Sequence, residues 1–195
     1  MSYRVVRRWR EVIIVGEKVH YVGGNLARAW TEALSALGLE GRFWQRVLLI
    51  GMGASLIQLI ARRAFSQPEV VVVEIDPEMV RLQEAIFDIP LPYTVHIGDA
   101  ADILPSLSGR FDGIFVDAFI EDRVPESLLS KSFVEALYAH LDLKGMLLWN
   151  TLLKPQADEV GKLLMERFAE VRRWRYDAHT FWAAAFGKDC FLTPF

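Results

Sequence analysis

Val47-Leu48-Leu49-Ile50-Gly51-Met52-Gly53-Ala54-Ser55 runs from an apolar stretch into a glycine bend, and Val70-Val71-Val72-Val73-Glu74-Ile75-Asp76-Pro77 ends a similar stretch in acids. Neither stretch alternates apolar with polar residues, which is the pattern of strands covered on both faces of a sheet. Each is followed by a helix signal. Ser55 reads as the cap of a helix over Leu56 to Phe65. Asp76-Pro77 opens the next helix, to about Phe87, because Asp accepts backbone N–H bonds and Pro suits the first helical position.

Working outward, the alternation continues. Strands are expected at Tyr93 to Ile97, Phe111 to Val116 and Met146 to Asn150, with helices after Asp99, at Ser132 to Leu141 and after Pro155. Val171 to Tyr176 and Thr180 to Phe186 are joined only by Asp177-Ala178-His179, too short for the crossover that a parallel pair requires. The last strand should therefore be antiparallel. Towards the N-terminus, Glu11 to Val15 and Val19 to Val22 flank Gly16-Glu17-Lys18 as a hairpin would, and Asn25 reads as the cap of a helix over Leu26 to Leu37, stopped by Gly38. The expectation is a small β element over residues 1–24 and, over 25–195, a Rossmann-like α/β domain with a mostly parallel sheet and helices on both faces.

The bulk properties agree with one core. In 195 residues, 52% are hydrophobic and 24% charged, which excludes an extensively disordered chain. A net charge of -3 supplies no global field for nucleic acid, so no nucleic-acid partner is expected. Val47 to Ala61, the longest uncharged run, is shorter than the ~20 apolar residues of a membrane span. No signal-peptide stretch opens the sequence and Cys190 is the only cysteine, so a cytoplasmic chain without membrane attachment is expected. His20, His96, His140 and His179 share no metal spacing, and no metal is proposed.

In an open α/β sheet, ligands sit beyond the carboxyl ends of the strands. Gly51 and Gly53 stand at the first such end, where a ligand can approach the backbone and a helix N-terminus. Leu56 replaces the third glycine of the dinucleotide fingerprint, which favours a nucleoside without phosphates. Glu74 stands near the ~20-residue spacing at which an acid bonds both ribose hydroxyls. Gly98-Asp99-Ala100 follows the third strand, where Asp99 reads equally as a helix cap or as an acceptor for an exocyclic adenine amine. Asp117 ends Phe111-Asp112-Gly113-Ile114-Phe115-Val116, placing a carboxylate that can take a proton at the cleft edge.

Together with Val124 to Phe133 and the leading β segment, these stretches resemble the class I S-adenosylmethionine-dependent transferases, and within them the spermidine synthase (polyamine aminopropyltransferase) family. The resemblance implies that Gly51 and Gly53 pass under the sulfonium side chain of the donor, with Ser55 a further cofactor-binding candidate. It further implies that Glu74 holds the ribose, Ile75 packs on adenine, Gly98, Asp99 and Ala100 read its edge, and Asp117 is the catalytic aspartate. The donor would be S-adenosylmethionine or its decarboxylated form, and the acceptor a small molecule, with a polyamine as one candidate. The family's loop aspartate is replaced by Ala54, and its second acceptor-site aspartate by Ile120, with Glu121 and Asp122 beside it. Its Tyr-His-Glu aligns with Trp30-Thr31-Glu32, so Trp30, Glu32, Glu121 and Asp122 are the substrate-site candidates.

Three readings compete. One is an aminopropyl or methyl transferase, the second a non-catalytic relative that binds an adenosyl nucleoside, and the third a nicotinamide-dependent oxidoreductase, against which the incomplete glycine fingerprint and the final hairpin argue. Trp9 and Trp174 among arginines could suggest an RNA platform, but arginine stems more commonly cover apolar sheet surface. Phe191, Leu192 and Phe195, with the N-terminal hairpin, suggest a homodimer.

Overall fold

The computed structural model describes residues 3–8, 11–18, 20–64 and 66–191. The sequence expectations for Trp9, Val19, Phe65, Leu192 and Phe195 lie outside the described residues. A three-stranded antiparallel sheet comes first, from β1 (Arg4–Arg8), β2 (Glu11–Val15) and β3 (His20–Val22). The expected hairpin is its β2–β3 part. Strand β1 is an addition, with Val6 paired to Ile13.

The main domain continues with α1 (Gly24–Ala36), β4 (Arg46–Ile50), α2 (Ala54–Arg63), β5 (Glu69–Glu74), α3 (Pro77–Ile86), β6 (Tyr93–Ile97) and α4 (Ala100–Ile103). It closes with β7 (Phe111–Val116), α5 (Lys131–His140), β8 (Leu141–Thr151), α6 (Lys154–Arg167), β9 (Glu170–Tyr176) and β10 (His179–Ala185). The sheet order is β6-β5-β4-β7-β8-β10-β9. Pairs from β6 to β8 are parallel, and β10 is antiparallel to both its neighbours, as the short Asp177-Ala178-His179 link requires.

Two apolar layers sandwich this sheet because successive strand residues face opposite ways. Val47, Leu49, Val70 and Val72 face Leu26, Trp30, Ile57 and Val80 of α1, α2 and α3. Leu48, Ile50, Val71 and Val73 face the other side, with Ala100, Phe133, Leu137 and Leu164 of α4, α5 and α6. Phe191 is buried in the chain's own core and lies under Arg172, 4.1 Å from the ring centroid. It therefore offers no exposed surface to a second copy.

Two expected caps are wrong. Helix α1 starts on Gly23, at φ 77, with no side-chain cap bond, and Asn25 lies inside the helix, donating to Asp177 at 2.5 Å. Helix α2 starts on Gly53, again without a side-chain cap, and Ser55 is its second residue. At α1 the chain enters the helix through a positive-φ glycine, a conformation that no nearby polar residue signals, whereas Gly53 before α2 has an ordinary negative φ of -107. The Asp76 and Asp99 caps are present, accepting from the backbone N–H of Glu78 and Ala101, each at 2.9 Å. Among the described residues, no helix is long and apolar enough to cross a membrane.

Candidate active site

The carboxyl ends of β4, β5 and β7 and the turn after β6 open into one cleft. Its lining includes Gly51, Glu74, Ile75, Gly98, Asp99, Ala100 and Asp117, brought together from four strand ends. Gly51 is there of necessity. At φ 96, a Cβ on it would stand 2.4 Å from the main-chain oxygen of Asp117, so only glycine lets the bend after β4 pass so close to β7.

Glu74 does more than line the cleft. Its carboxylate accepts from the N–H of Met52 at 2.7 Å and, through the other oxygen, from that of Asp76 at 2.9 Å, tying the glycine bend to the start of α3. Desolvation pushes its carboxyl upward in pKa, and the backbone N–H donors oppose the rise. Each oxygen keeps a lone pair for a ligand hydroxyl. Ile75, next to it, exposes 45% of its surface into the opening, a large apolar side chain available to a flat ring.

Asp117 is held from behind. Trp30 Nε1 donates to one carboxylate oxygen and Asn150 Nδ2 to the other, both at 2.9 Å. Edge contacts with Phe115 and Phe181 lock the Trp30 ring. Desolvation raises the Asp117 pKa to about 6, against the pull of the two donors, so the group stays a carboxylate at neutral pH while remaining able to take a proton. Asn150 in turn presents its Oδ1 to His179 Nδ1 at 3.1 Å. Asp117 also lines a second, smaller cavity, with His20, Tyr21, Leu26, Phe119, Leu152 and His179.

Other sequence candidates lie elsewhere. Gly53 and Ser55 do not line the cleft, Gly53 serving instead as the start of α2. Trp30 is buried behind Asp117 and lines neither cavity, and Glu32 is exposed on α1. Glu121 accepts from the Lys18 N–H at 2.9 Å and Asp122 pairs with Lys18 Nζ at 3.7 Å, so both face the N-terminal sheet and line neither cavity.

Several contributors carried no sequence signal. Gln83, fully buried, accepts from the Ala54 N–H at 2.8 Å and donates to the Met52 carbonyl, clamping the glycine bend on both sides. A lone glutamine on the apolar face of a helix is its only trace in the sequence. Tyr3 and Tyr21 line the mouth, with edge-to-face rings 5.5 Å apart. Tyr3 Oη donates to Asp76 at 2.7 Å, and Tyr21 Oη accepts from the Glu121 N–H at 2.9 Å. Burial raises the pKa of both phenols, so both remain protonated.

The fold has known counterparts. Human methyltransferase-like protein 13 in complex with SAH superposes with a TM-score of 0.66 at 18% identity, over 87% of this chain and 84% of that one. A probable spermidine synthase from Corynebacterium glutamicum ATCC 13032 does so with 0.74 at 18% identity, over 94% and 76%. For a spermidine synthase in complex with the transition state analogue AdoDATO the TM-score is 0.70 at 14% identity, over 97% and 75%. The fold is thus that of the class I S-adenosylmethionine-dependent methyltransferases. In sequence, the chain is 30% identical over 112 residues to the polyamine aminopropyltransferase of Vibrio vulnificus (strain CMCP6), covering 55% of this chain and 38% of that protein. The chain spans well under half the length of that curated relative. No family model matches it.

Proposed function

We propose that the chain binds an adenosyl sulfonium donor in the larger cleft and transfers an alkyl group from it to a small acceptor. One observation carries this reading. The charged residues lining the cleft are Glu74, Asp76, Asp99 and Asp117, and among the described residues no lysine or arginine lines it. A cleft of that charge suits a cationic ligand and repels a pyrophosphate. Glu74 would hold the ribose hydroxyls, Ile75 one face of the adenine, and Asp99, with Gly98 and Ala100, its edge. S-adenosylmethionine carries a carboxylate that would find no cation here. Its decarboxylated form brings only positive charge, so aminopropyl transfer is the better-supported chemistry.

A bound sulfonium supplies an activated carbon whose bond to sulfur breaks with the electron pair leaving on the sulfur. The chain's part is to align the reactants and receive one proton. Asp117 stands where the main cleft meets the smaller cavity, with its two back donors fixing the carboxylate plane. Its raised pKa makes it a better base than a solvated aspartate while leaving it ionised at pH 7.

Calorimetry with methylthioadenosine, decarboxylated S-adenosylmethionine, S-adenosylmethionine and NAD tests the donor site. The first two should bind most tightly and NAD weakest. NAD binding as tightly as methylthioadenosine would overturn the reading. Tight nucleoside binding without methylthioadenosine release, whatever amine is added, would select the non-catalytic relative instead.

A further inference from the structure

The smaller cavity carries the next step. Leu26, Phe119 and Leu152 supply its apolar lining, His20, Tyr21 and His179 line it too, and the only carboxylate among its described lining residues is Asp117. Glu121 and Asp122, the nearby acids that could have met a second positive charge, are engaged with Lys18 outside it. Because Asn150 spends its Nδ2 protons on Asp117, its Oδ1 faces His179 and must accept from Nδ1–H. That fixes the His179 tautomer. The remaining nitrogen, Nε2, is then an acceptor on a ring that lines the cavity. Burial pushes the His179 pKa down, with Asp177 opposing, which keeps the ring neutral.

We propose that this cavity seats a small monoamine with an apolar body, its single nitrogen held between the Asp117 carboxylate and His179 Nε2, and that the chain discriminates against diamines. The proposal rests on the sulfonium-donor reading above. An aliphatic diamine would bury its distal ammonium against leucine and phenylalanine with no counter-charge, at a large desolvation cost. A monoamine buries only carbon there. In the reaction, the neutral amine nitrogen forms a bond to the donor carbon as the carbon–sulfur bond breaks, its electrons remaining on sulfur as a thioether. The proton lost from the new secondary ammonium passes to the Asp117 carboxylate.

The test uses a matched pair, n-butylamine and putrescine, whose four-carbon chains differ only by the distal ammonium. With the full chain saturated in methylthioadenosine, n-butylamine should bind at least about tenfold more tightly than putrescine, since one unmatched buried charge outweighs that factor. Methylthioadenosine release from the decarboxylated donor should show the same preference in kcat/KM. Leu152→Glu, which adds a second carboxylate to the cavity lining at a half-buried position, should shift the preference towards putrescine by at least tenfold. Putrescine binding as tightly as butylamine, or neither amine binding while methylthioadenosine does, overturns the proposal and leaves the donor reading standing. Failure of methylthioadenosine to bind removes the donor reading, and the proposal falls with it.

Discussion

Replacing Asp117 by Asn should stabilise the protein at alkaline pH and leave it nearly unchanged in acid. In the folded chain the carboxyl holds its proton up to about pH 6, against 3.8 for a solvated aspartate. Between those values folding takes up a proton, so the Asp117 contribution is fullest below about pH 4 and is lost as pH rises through 6. The difference of about two pKa units corresponds to about 3 kcal/mol at pH 8, a ceiling because the cleft side of the group meets water. An asparagine at this site carries no charge to desolvate. Its Nδ2 protons would confront Asn150, but that amide can turn over, accepting from the new side chain while His179 takes its other tautomer, at a cost of about 1 kcal/mol. Urea unfolding of both proteins from pH 4 to 8, followed by tryptophan fluorescence, isolates the effect, because other titrating groups cancel in the difference. The variant should gain about 2 kcal/mol on wild type over that range while losing turnover. A stability difference that stays flat across the range would refute the account of a desolvated Asp117.

Gln83→Leu should cost about 2–3 kcal/mol in chemical unfolding, because the Ala54 N–H and Met52 carbonyl lose their partner in the core, and calorimetry should show weakened methylthioadenosine binding. Gly51→Ala should lower the melting temperature by more than 10 °C, since the added Cβ meets the Asp117 carbonyl and φ 96 is unsuited to alanine; a drop of only one or two degrees would show that the bend relaxes easily. Gly161→Ala tests the fold away from the site: its Cβ would stand 2.3 Å from the Trp182 ring, and a loss of about 1–3 kcal/mol is expected with nucleoside affinity intact. Tyr3→Phe removes the hydrogen bond to Asp76 and should lower stability by about 1 kcal/mol, with faster methylthioadenosine dissociation in stopped-flow.

Much of the sheet could be read from the sequence because its strands are short apolar runs closed by glycine or acid. Tyr93 to Ile97 and Phe111 to Val116 match their strands residue for residue. The antiparallel ending followed from the length of one connection. Strand β1 escaped because Arg4-Val5-Val6-Arg7-Arg8 reads as a charged segment, and its pairing to β2 is decided by tertiary context. The start of β8 escaped for a similar reason, as Asp142, Lys144 and Gly145 interrupt its pattern. In the site, acids at strand ends were visible because position alone marks them. Gln83, Asn150 and His179 were not, since each is a single polar residue whose role exists only once another element packs against it. Two further acids lie away from both cavities. Glu121 and Asp122 follow the right strand, but the turn at Glu121, with φ 54, carries them to Lys18.

The contact between Gly51 and the Asp117 carbonyl has a consequence for how this enzyme-like framework could evolve. In the proposed reading, donor cradle and proton acceptor meet through main chain, at a spot where no side chain intervenes, so the separation between the two reactants would be a property of strand packing. The walls of either chamber can then be exchanged, retuning which molecules are admitted, without resetting the distance over which the bond is made.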